Sequence, residues 1–306
     1  MSEDLARFVE GELSRPPPVA VAVGRELAAR FDEALAVVFY GSALRTGERD
    51  GLLDFYVLTH GPPKGLRGTA SRILWPDVSY HEIDLPDGLV RAKVASMTLD
   101  RFAHAASGAG VDTTIWTRFV QPAALAWSHR PEISAGVGAA VADAVRAAAR
   151  FAAALGPERG PASAYWAALF RQTYAAEFRV ESQARSQTLL DFDPARYAAL
   201  LPLAWRADGI AFEAAPGGEL SPRLAPADRR GLLSAWARRR AMGRPLNIAR
   251  LAKATFTFDG AARYAAYKIE RHTGVAVPLT PWRERHPLLA APAAAWRLWR
   301  ARRGGG

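Results

Sequence analysis

Gly41-Ser42 and Asp54 are the residues of this chain whose types and spacing best suit chemistry. The apolar run Val37–Tyr40 has the composition of a buried strand and stops at Gly41-Ser42, and a second such run, Leu52–Leu58, contains Asp54. A carboxylate inside a strand is costly to bury unless a cation pairs with it. Glycine lets a phosphate approach the backbone, and a serine hydroxyl and nearby N–H groups supply donors. The pattern predicts a site for a nucleoside triphosphate and magnesium (Mg²⁺), with two core strands joined by a tight turn as the alternative.

The short motif has only one carboxylate. A strand, a Gly-Ser pair and a strand aspartate about a dozen residues later resemble the minimal signature of the DNA-polymerase-β-like nucleotidyltransferases. That superfamily places a second carboxylate two residues after the first, on the same strand face, and in this chain the position is Tyr56. A hydroxyl nucleophile needs a second metal ion or a base to remove its proton, whereas a phosphate monoester, with a second pKa of about 6, is already anionic. The missing carboxylate therefore favours a phosphate nucleophile.

Further blocks resemble one family of that superfamily, the mitochondrial translocator-assembly-and-maintenance family of CTP:phosphatidate cytidylyltransferases. Tyr40-Gly41-Ser42 with Leu53-Asp54-Phe55 resembles the family's YGS…LDF block, which also has a single aspartate. Three later stretches resemble its LIKYGVIS, YSGDFRM and RPSSIRQSTKGIFTAG blocks in the same order, namely Leu89–Ser96, Tyr174–Arg179 and Arg244–Thr257. The blocks extend from about residue 37 to residue 270. The resemblance implies a Mg²⁺-dependent transfer of CMP from CTP to phosphatidate.

The resemblance also implies roles for residues of the first two blocks. Gly41 and Ser42 would hold the β- and γ-phosphates of CTP, and Asp54 would coordinate Mg²⁺. Lys93 would neutralise the triphosphate or the incoming phosphatidate, with an exposed strand charge as the alternative.

Glu177 and Arg179 are the distant members of the site that the resemblance implies. The family has an aspartate where this chain has Glu177, which makes Glu177 the candidate for the second metal carboxylate, with Arg179 beside it on the phosphates. A solvated helix residue is the alternative for Glu177. Glu82 and Asp84 could contribute a carboxylate instead, although places on an edge strand fit them better.

The basic character of the chain is concentrated in its last quarter. The net charge is +10, and residues 231–306 contain fifteen Lys/Arg and three acidic residues, or +12, so that residues 1–230 carry −2. Such a patch indicates an anionic lipid surface or a nucleic acid. Clustered arginines with interfacial tryptophans suit lipid, and so does the resemblance to a lipid-modifying family. The predicted membrane-binding residues are Arg238, Arg239, Arg240, Trp296, Trp299 and Arg300.

The elements that must position these residues alternate between helix and strand over roughly the first 100 residues. Helices are predicted over Glu3–Leu13 and Val21–Glu33, and strands over Val78–Ile83 and Leu89–Met97, in addition to the two strands of the motif. The alternation predicts an α/β unit with a small mixed sheet and helices. The resemblance makes that unit a nucleotidyltransferase-type fold.

From Leu99 onward the pattern is helical. Gly217-Gly218 and Pro222–Pro226 predict a linker. The candidate helices are Ala135–Leu155, Pro161–Phe178, a helix that begins at Asp193-Pro194, Asp228–Met242, Pro245–Phe258 and Asp259–His272. We therefore expect a nucleotidyltransferase domain over residues 1–125, a mainly helical domain that completes the cleft over 126–225, and a basic helical membrane-associating segment over 226–306.

Composition excludes several other classes of site. The chain has no cysteine, which removes disulfides, thiolate nucleophiles and zinc–cysteine sites, and its six histidines show no HxxxH-type pairing. Ser2-Glu3-Asp4 has the wrong charge for a signal peptide, and no apolar run reaches the length of a membrane span. We expect a cytoplasmic protein that is peripheral on the inner face of the cell membrane.

The expected reaction is attack of a lipid phosphate, phosphatidate or a relative, on the α-phosphate of CTP, which gives a CDP-lipid and pyrophosphate. One alternative is a nucleotidyltransferase that acts on nucleic acid or on a small hydroxyl compound such as an aminoglycoside. Another is a non-catalytic membrane-binding relative. Nucleic acid is not the expected partner, and the sequence leaves the oligomeric state open.

Overall fold

A mixed five-stranded sheet carries the first part of the chain. The computed structural model describes residues 3–47, 51–63, 65–176, 189–273, 279–280, 282 and 284, and it is mixed α/β and 60% helical. The strands are β1 (Ala34–Tyr40), β2 (Leu52–Thr59), β3 (Asp77–Leu85), β4 (Gly88–Thr98) and β5 (Ala123–Ser128). Their order is β3-β4-β2-β1-β5, in which β2 and β4 are parallel and the other neighbours are antiparallel.

Side chains alternate between the two faces of this sheet, and each face packs against different helices. Leu53 and Phe55 of β2 share a cluster with Leu27 of helix α2 (Pro18–Arg30), whereas Tyr56 shares the larger cluster with Phe102 on the other face. Among the helices that contribute to the larger cluster are α1 (Glu3–Leu13), α5 (Leu99–Ala106), α6 (Thr114–Phe119) and α7 (Pro131–Leu155). Two further helices connect strands, α3 (Ser42–Thr46) and α4 (Gly65–Ile73).

The alanine-rich helix α7 is the centre of the helical part. Its buried alanines let neighbours approach closely, and α8 (Ala162–Ala176) and α9 (Pro194–Ala207) both pack on it. Buried indole groups fix these helices by donating to backbone oxygens. Trp205 Nε1 donates to the carbonyl of Ala149 at 2.9 Å, and Trp166 Nε1 donates to that of Tyr197 at 3.0 Å.

A three-stranded sheet includes part of the segment that the sequence predicts as a linker. Its strands are β6 (Gly160–Pro161), β7 (Ala211–Ala214) and β8 (Glu219–Arg223), in the order β6-β8-β7. Gly217-Gly218 belongs to the turn of the β7–β8 hairpin, and Gly218 has a φ of +79°. Leu220 of β8 is buried, and its carbonyl accepts a hydrogen bond from Tyr165 Oη at 2.6 Å. The linker prediction was wrong, because these turn residues close a hairpin that packs on the helices.

The C-terminal part of the described chain begins with one long helix rather than the two predicted. Helix α10 (Pro226–Thr257) runs through Pro245, and α11 (Ala261–Thr273) follows it. Proline removes one helical hydrogen bond and usually kinks or ends a helix. Here contacts on both sides of the proline hold the helix, through Trp236 before it and Lys253 after it.

One hydrophobic cluster crosses both predicted domain boundaries. Leu58, Val145 and Trp236 lie in the first, second and third predicted segments, and all three belong to the same cluster. The three segments therefore share a core.

The predicted elements of the first 100 residues are confirmed with small shifts of their ends. The first helix occupies Glu3–Leu13 as predicted, and the two later strands extend to Asp77–Leu85 and Gly88–Thr98. The mixed α/β class is confirmed. Within the described ranges, no helix has both the length and the apolar character that crossing a membrane requires.

Candidate functional site

Strand register places the predicted residues of the sheet side by side. Tyr40 of β1 pairs with Asp54 of β2, and Asp54 pairs with Lys93 of β4. Lys93 in turn pairs with Tyr80 of β3. Residues at the same level of neighbouring strands have side chains on the same face, so this row brings a carboxylate beside an ammonium group. Asp54 and Lys93 are both half-buried.

Gly41 lies directly against the Asp54 carboxylate. Its backbone has φ +99° and ψ −163°, a conformation essentially restricted to glycine. A Cβ atom added at Gly41 would lie 3.1 Å from Oδ2 of Asp54. Ser42, the first residue of α3, is exposed beside it. Gly41 is therefore required here both by its backbone conformation and by the close approach of the carboxylate.

Tyr56 occupies the position at which the generic superfamily has its second carboxylate, and it is a core residue. Its ring is fully buried and contacts the rings of Tyr40, Phe102 and Phe119. Its hydroxyl accepts a hydrogen bond from Arg118 Nη1 at 2.9 Å. The helical layer thus covers the sheet as far as Tyr56, and the level of Asp54 and Lys93 is left partly open.

Arg118 and Arg45 are cationic neighbours of the site that the sequence did not reveal. The Arg118 guanidinium lies over the Tyr40 ring, 5.2 Å from its centroid. Arg45 of α3 donates to Gln121 Oε1 at 3.2 Å. In the sequence, Arg118 stands out only as a cation between the apolar residues Trp116 and Phe119, both of which are buried. A charge beside core residues is costly unless a partner pairs with it.

Burial also changes the acidity of a tyrosine behind this region. It raises the pKa of Tyr197 to about 12, and the positive charges of Arg196 and Arg45 oppose that shift. Arg196 is held by Glu12, with Nη2 donating to Oε2 at 2.9 Å, and by the carbonyl of Val120 at 3.0 Å. The cations behind the site are thus part of a bonded network that fixes their positions.

Glu177 and Arg179 lie outside the described residues, so their predicted roles stay predictions. The preceding turn of α8 is described: Tyr174 packs partly buried against the main cluster. Ala176 meets α10, because a Cβ atom at Gly243 would collide with its carbonyl. Two of the blocks that carry the family resemblance therefore adjoin, the end of α8 and the middle of α10.

The residues at Gly41 fit a magnesium ion that arrives with a nucleotide. Mg²⁺ is commonly held by one or two carboxylates together with substrate phosphates and water. Asp54 supplies one carboxylate, and the described residues contain no group of three or more acidic, histidine or cysteine side chains that could hold a metal without a substrate. The Glu82 carboxylate has other partners: its Oε1 accepts a hydrogen bond from Tyr80 Oη at 3.0 Å and lies 3.9 Å from Arg91 Nε.

The predicted membrane-binding arginines do not share one environment. Arg238 and Arg240 are exposed on α10. Arg239 is 6% exposed, lies over the Phe151 ring at 4.6 Å and donates to the carbonyl of Gly108. Burial lowers the pKa of Arg239. Its assignment to the surface cluster was wrong, because consecutive helix positions point in different directions. Trp296, Trp299 and Arg300 lie outside the described residues.

A large cleft of about 1040 Å³ lies at the other end of the sheet. It includes Thr59 and Thr98, at the carboxyl ends of β2 and β4, and none of Gly41, Asp54 and Lys93 lines it. Ser79 Oγ lies 2.8 Å from Nε2 of His81 there. Burial lowers the pKa of His81, and the positive charge of Arg30 lowers it further. This cleft is a separate feature from the predicted site.

Comparison with known proteins assigns no family. No protein-family model matches the chain, and no curated protein matches it.

Proposed function

We propose that this protein is a Mg²⁺-dependent nucleotidyltransferase that transfers CMP from CTP to phosphatidate or a related lipid phosphate, giving CDP-diacylglycerol and pyrophosphate. One observation carries the proposal: Gly41, in a backbone conformation that only glycine readily adopts, lies against the half-buried carboxylate of Asp54, and Lys93 stands next to Asp54 across the sheet. In this proposal the mixed sheet belongs to a nucleotidyltransferase-type fold.

The proposed roles follow from the chemistry of each group. Gly41 leaves room for the β- and γ-phosphates at the backbone, and the Ser42 hydroxyl donates to them. Asp54 would be one protein ligand of the metal, and a bound metal would offset negative charge on the leaving pyrophosphate. Lys93, half-buried beside Asp54, supplies a positive charge for the triphosphate or for the acceptor phosphate.

A phosphate acceptor is favoured because the described part of the site offers no second acidic group that could act as a base. The position two residues after Asp54 holds Tyr56, whose hydroxyl is bonded to Arg118 inside the core. A phosphate monoester needs no base at neutral pH. Glu177 remains the proposed second carboxylate, with Arg179 on the phosphates, and the protein is proposed to work peripherally on the inner face of the cell membrane.

The test is turnover of labelled CTP with Mg²⁺ and phosphatidate vesicles. Asp54→Ala should lower the formation of CDP-diacylglycerol by at least about 1,000-fold, because charge stabilisation by the metal contributes several kcal/mol and each 1.4 kcal/mol is about tenfold. The matched control is Asp84→Asn, which changes an exposed strand aspartate and should leave turnover within about threefold.

Each part of the proposal has its own contradicting result. Equal turnover in Asp54→Ala and the wild type would remove the proposed site. Extension of an RNA primer or modification of an aminoglycoside, with no CDP-diacylglycerol, would replace the lipid acceptor by a hydroxyl acceptor. Absence of any CTP-dependent transfer, with intact vesicle binding, would favour the non-catalytic membrane-binding relative.

A further inference from the structure

One face of helix α10 exposes large apolar side chains to solvent. Ile248 is 65% exposed, Leu251 67% and Phe256 84%. Single exposed apolar residues are common on protein surfaces, but several on one helix face indicate an interaction surface. We call Ile248, Leu251 and Phe256 the apolar face of α10.

The orientation of this face is fixed by buried ion pairs on the opposite side of the helix. Lys253 Nζ lies 2.6 Å from Oδ1 of Asp77, and both side chains are nearly fully buried. Arg250 pairs with Asp112 and lies over the Trp75 ring at 4.6 Å. With 3.6 residues per turn, positions 250 and 253 point away from 248 and 251. The helix therefore cannot rotate its apolar face inward without breaking both pairs.

The charged residues of α10 that follow Asp228 are all basic. The sequence has no acidic residue between Asp228 and Asp259. Arg238, Arg240 and Arg244 are exposed on the same helix, on its N-terminal side of the apolar face. Positive charge next to exposed apolar side chains is complementary to an anionic lipid surface, where the arginines meet headgroups and the apolar side chains enter the acyl region.

The apolar surface continues into a groove beside the helix. The groove has a volume of about 370 Å³, and Ile248 and Leu251 line it together with Pro76 and Val78 near the start of β3. The exposed apolar surface therefore extends from α10 to the edge of the sheet.

We propose that the apolar face of α10, with Arg238, Arg240 and Arg244, docks the protein onto an anionic lipid bilayer. A nucleic acid could bind the arginines, but its bases would stack only on Phe256, and the aliphatic side chains of Ile248 and Leu251 would stay exposed. A second copy of the chain would bring the same positive charge to the interface, which opposes association. The inference deepens the proposed function, because it names the surface through which a lipid-modifying enzyme would reach its substrate.

The experiment measures binding of the full chain to vesicles of phosphatidylcholine with 30% phosphatidylglycerol, without nucleotide. The variant Ile248→Ser/Leu251→Ser/Phe256→Ser should lower the partition coefficient at least about tenfold, since each large side chain that leaves the lipid removes apolar burial. The matched control is Ile73→Ser, because Ile73 on α4 is 72% exposed and lies outside the apolar face. It should bind as the wild type does.

A second variant tests the charges with the apolar side chains intact. Arg238→Gln/Arg240→Gln should weaken binding to the anionic vesicles several-fold and make the remaining binding less sensitive to salt. Circular dichroism checks that each variant is folded, which is expected because all the replaced side chains are exposed.

Several results would overturn the docking proposal. These are unchanged vesicle binding by the triple serine variant, equal binding of the wild type to neutral and anionic vesicles, or a wild-type dimer that the triple variant converts to a monomer. Failure of the proposed function is distinguishable, because Asp54→Ala should still bind vesicles as the wild type does. If the protein bound vesicles but did not turn over CTP, the docking proposal would stand and only the proposed enzymatic activity would be rejected.

Discussion

Gly41 and Asp54 lie so close together that a side chain at position 41 would displace the carboxylate by a few tenths of an ångström. The glycine has a φ of +99°, and the space that a Cβ atom would need is bounded by Asp54 Oδ2 at 3.1 Å. Asp54 is only half-buried, so part of the residue stays accessible to solvent. The pair therefore fixes where a cation could meet the protein.

Gly41→Ala should lower turnover in the CTP assay by roughly tenfold, because the added Cβ displaces the Asp54 carboxylate by a few tenths of an ångström and a displacement of about 1 Å in a reacting group costs about 100-fold. The matched control is Gly47→Ala in the next turn of the chain. Gly47 also has a positive φ, +70°, but no atom lies within 4 Å of its would-be Cβ. Both variants should lose about 1–2 kcal/mol of unfolding free energy from backbone strain. Only Gly41→Ala should lose activity; equal activities would separate Gly41 from the reaction.

At the scale of residues, the sequence singled out Gly41, Asp54 and Lys93, but it did not indicate Arg45 or Arg118 as neighbouring cations. Gly41 and Asp54 stand out because each interrupts an apolar run. The position of Lys93 opposite Asp54 depends on the parallel pairing of β2 with β4, which joins residues 39 positions apart and has no local signature. Arg239 was misplaced for a related reason. Three consecutive arginines span more than half the circumference of a helix and cannot all lie on one narrow face, and here the middle one, Arg239, faces the core.

At the scale of elements, buried ion pairs attach α10 to the rest of the protein. Asp77 at the start of β3 pairs with Lys253, whose Nζ also donates to the carbonyl of Pro76 at 3.3 Å. The side chains of Asp77 and Lys253 are 4% and 6% exposed. A charge this deep is destabilising unless its partner is present.

Lys253→Met should therefore lower the unfolding free energy by about 3–5 kcal/mol, because it leaves Asp77 as an unpaired buried charge. The double variant Asp77→Asn/Lys253→Met should recover most of the loss. The control is Arg223→Met, which breaks the exposed pair between Arg223 and Glu213 on the β7–β8 hairpin and should cost far less, because solvent screens exposed charges. Urea unfolding measures all three. If Lys253→Met lost no more than Arg223→Met, the ion pair would not anchor the helix.

Helix α10 and the hairpin before it show where local sequence patterns fail to predict the structure. Pro245 predicts a helix end, and Gly217-Gly218 predicts a linker, because both patterns describe what a short stretch prefers alone. In the folded chain, Trp236 and Lys253 hold α10 on each side of its proline. Elements whose preferences agreed with their packing, such as the helix Glu3–Leu13, were predicted with correct ends.

At the scale of the whole molecule, the described chain is held by a core that no single predicted segment contains. Trp236 of α10 is 4% exposed, and its ring lies 5.6 Å from that of Phe151 in α7 and 6.4 Å from that of Trp116 in α6. Alternating helix and strand patterns could predict the sheet. They could not predict that Trp236 of α10 would pack against Trp116 and Phe151, which lie 120 and 85 residues earlier. Contacts between residues so far apart in sequence leave no periodic pattern.

The shared core predicts that the protein unfolds as one unit, and Trp236→Ala tests this. Removing a buried tryptophan typically costs 3–5 kcal/mol, and the loss should appear in every part of the molecule because the cluster joins α6, α7 and α10. In calorimetry the wild type should give one transition, and Trp236→Ala should give one transition at a lower temperature. Leu233→Ala, three residues earlier on the same helix and 40% exposed in the wild type, should shift it by much less. Two wild-type transitions, of which the tryptophan variant lowers only one, would instead show that residues 226–306 unfold separately, as a distinct domain would.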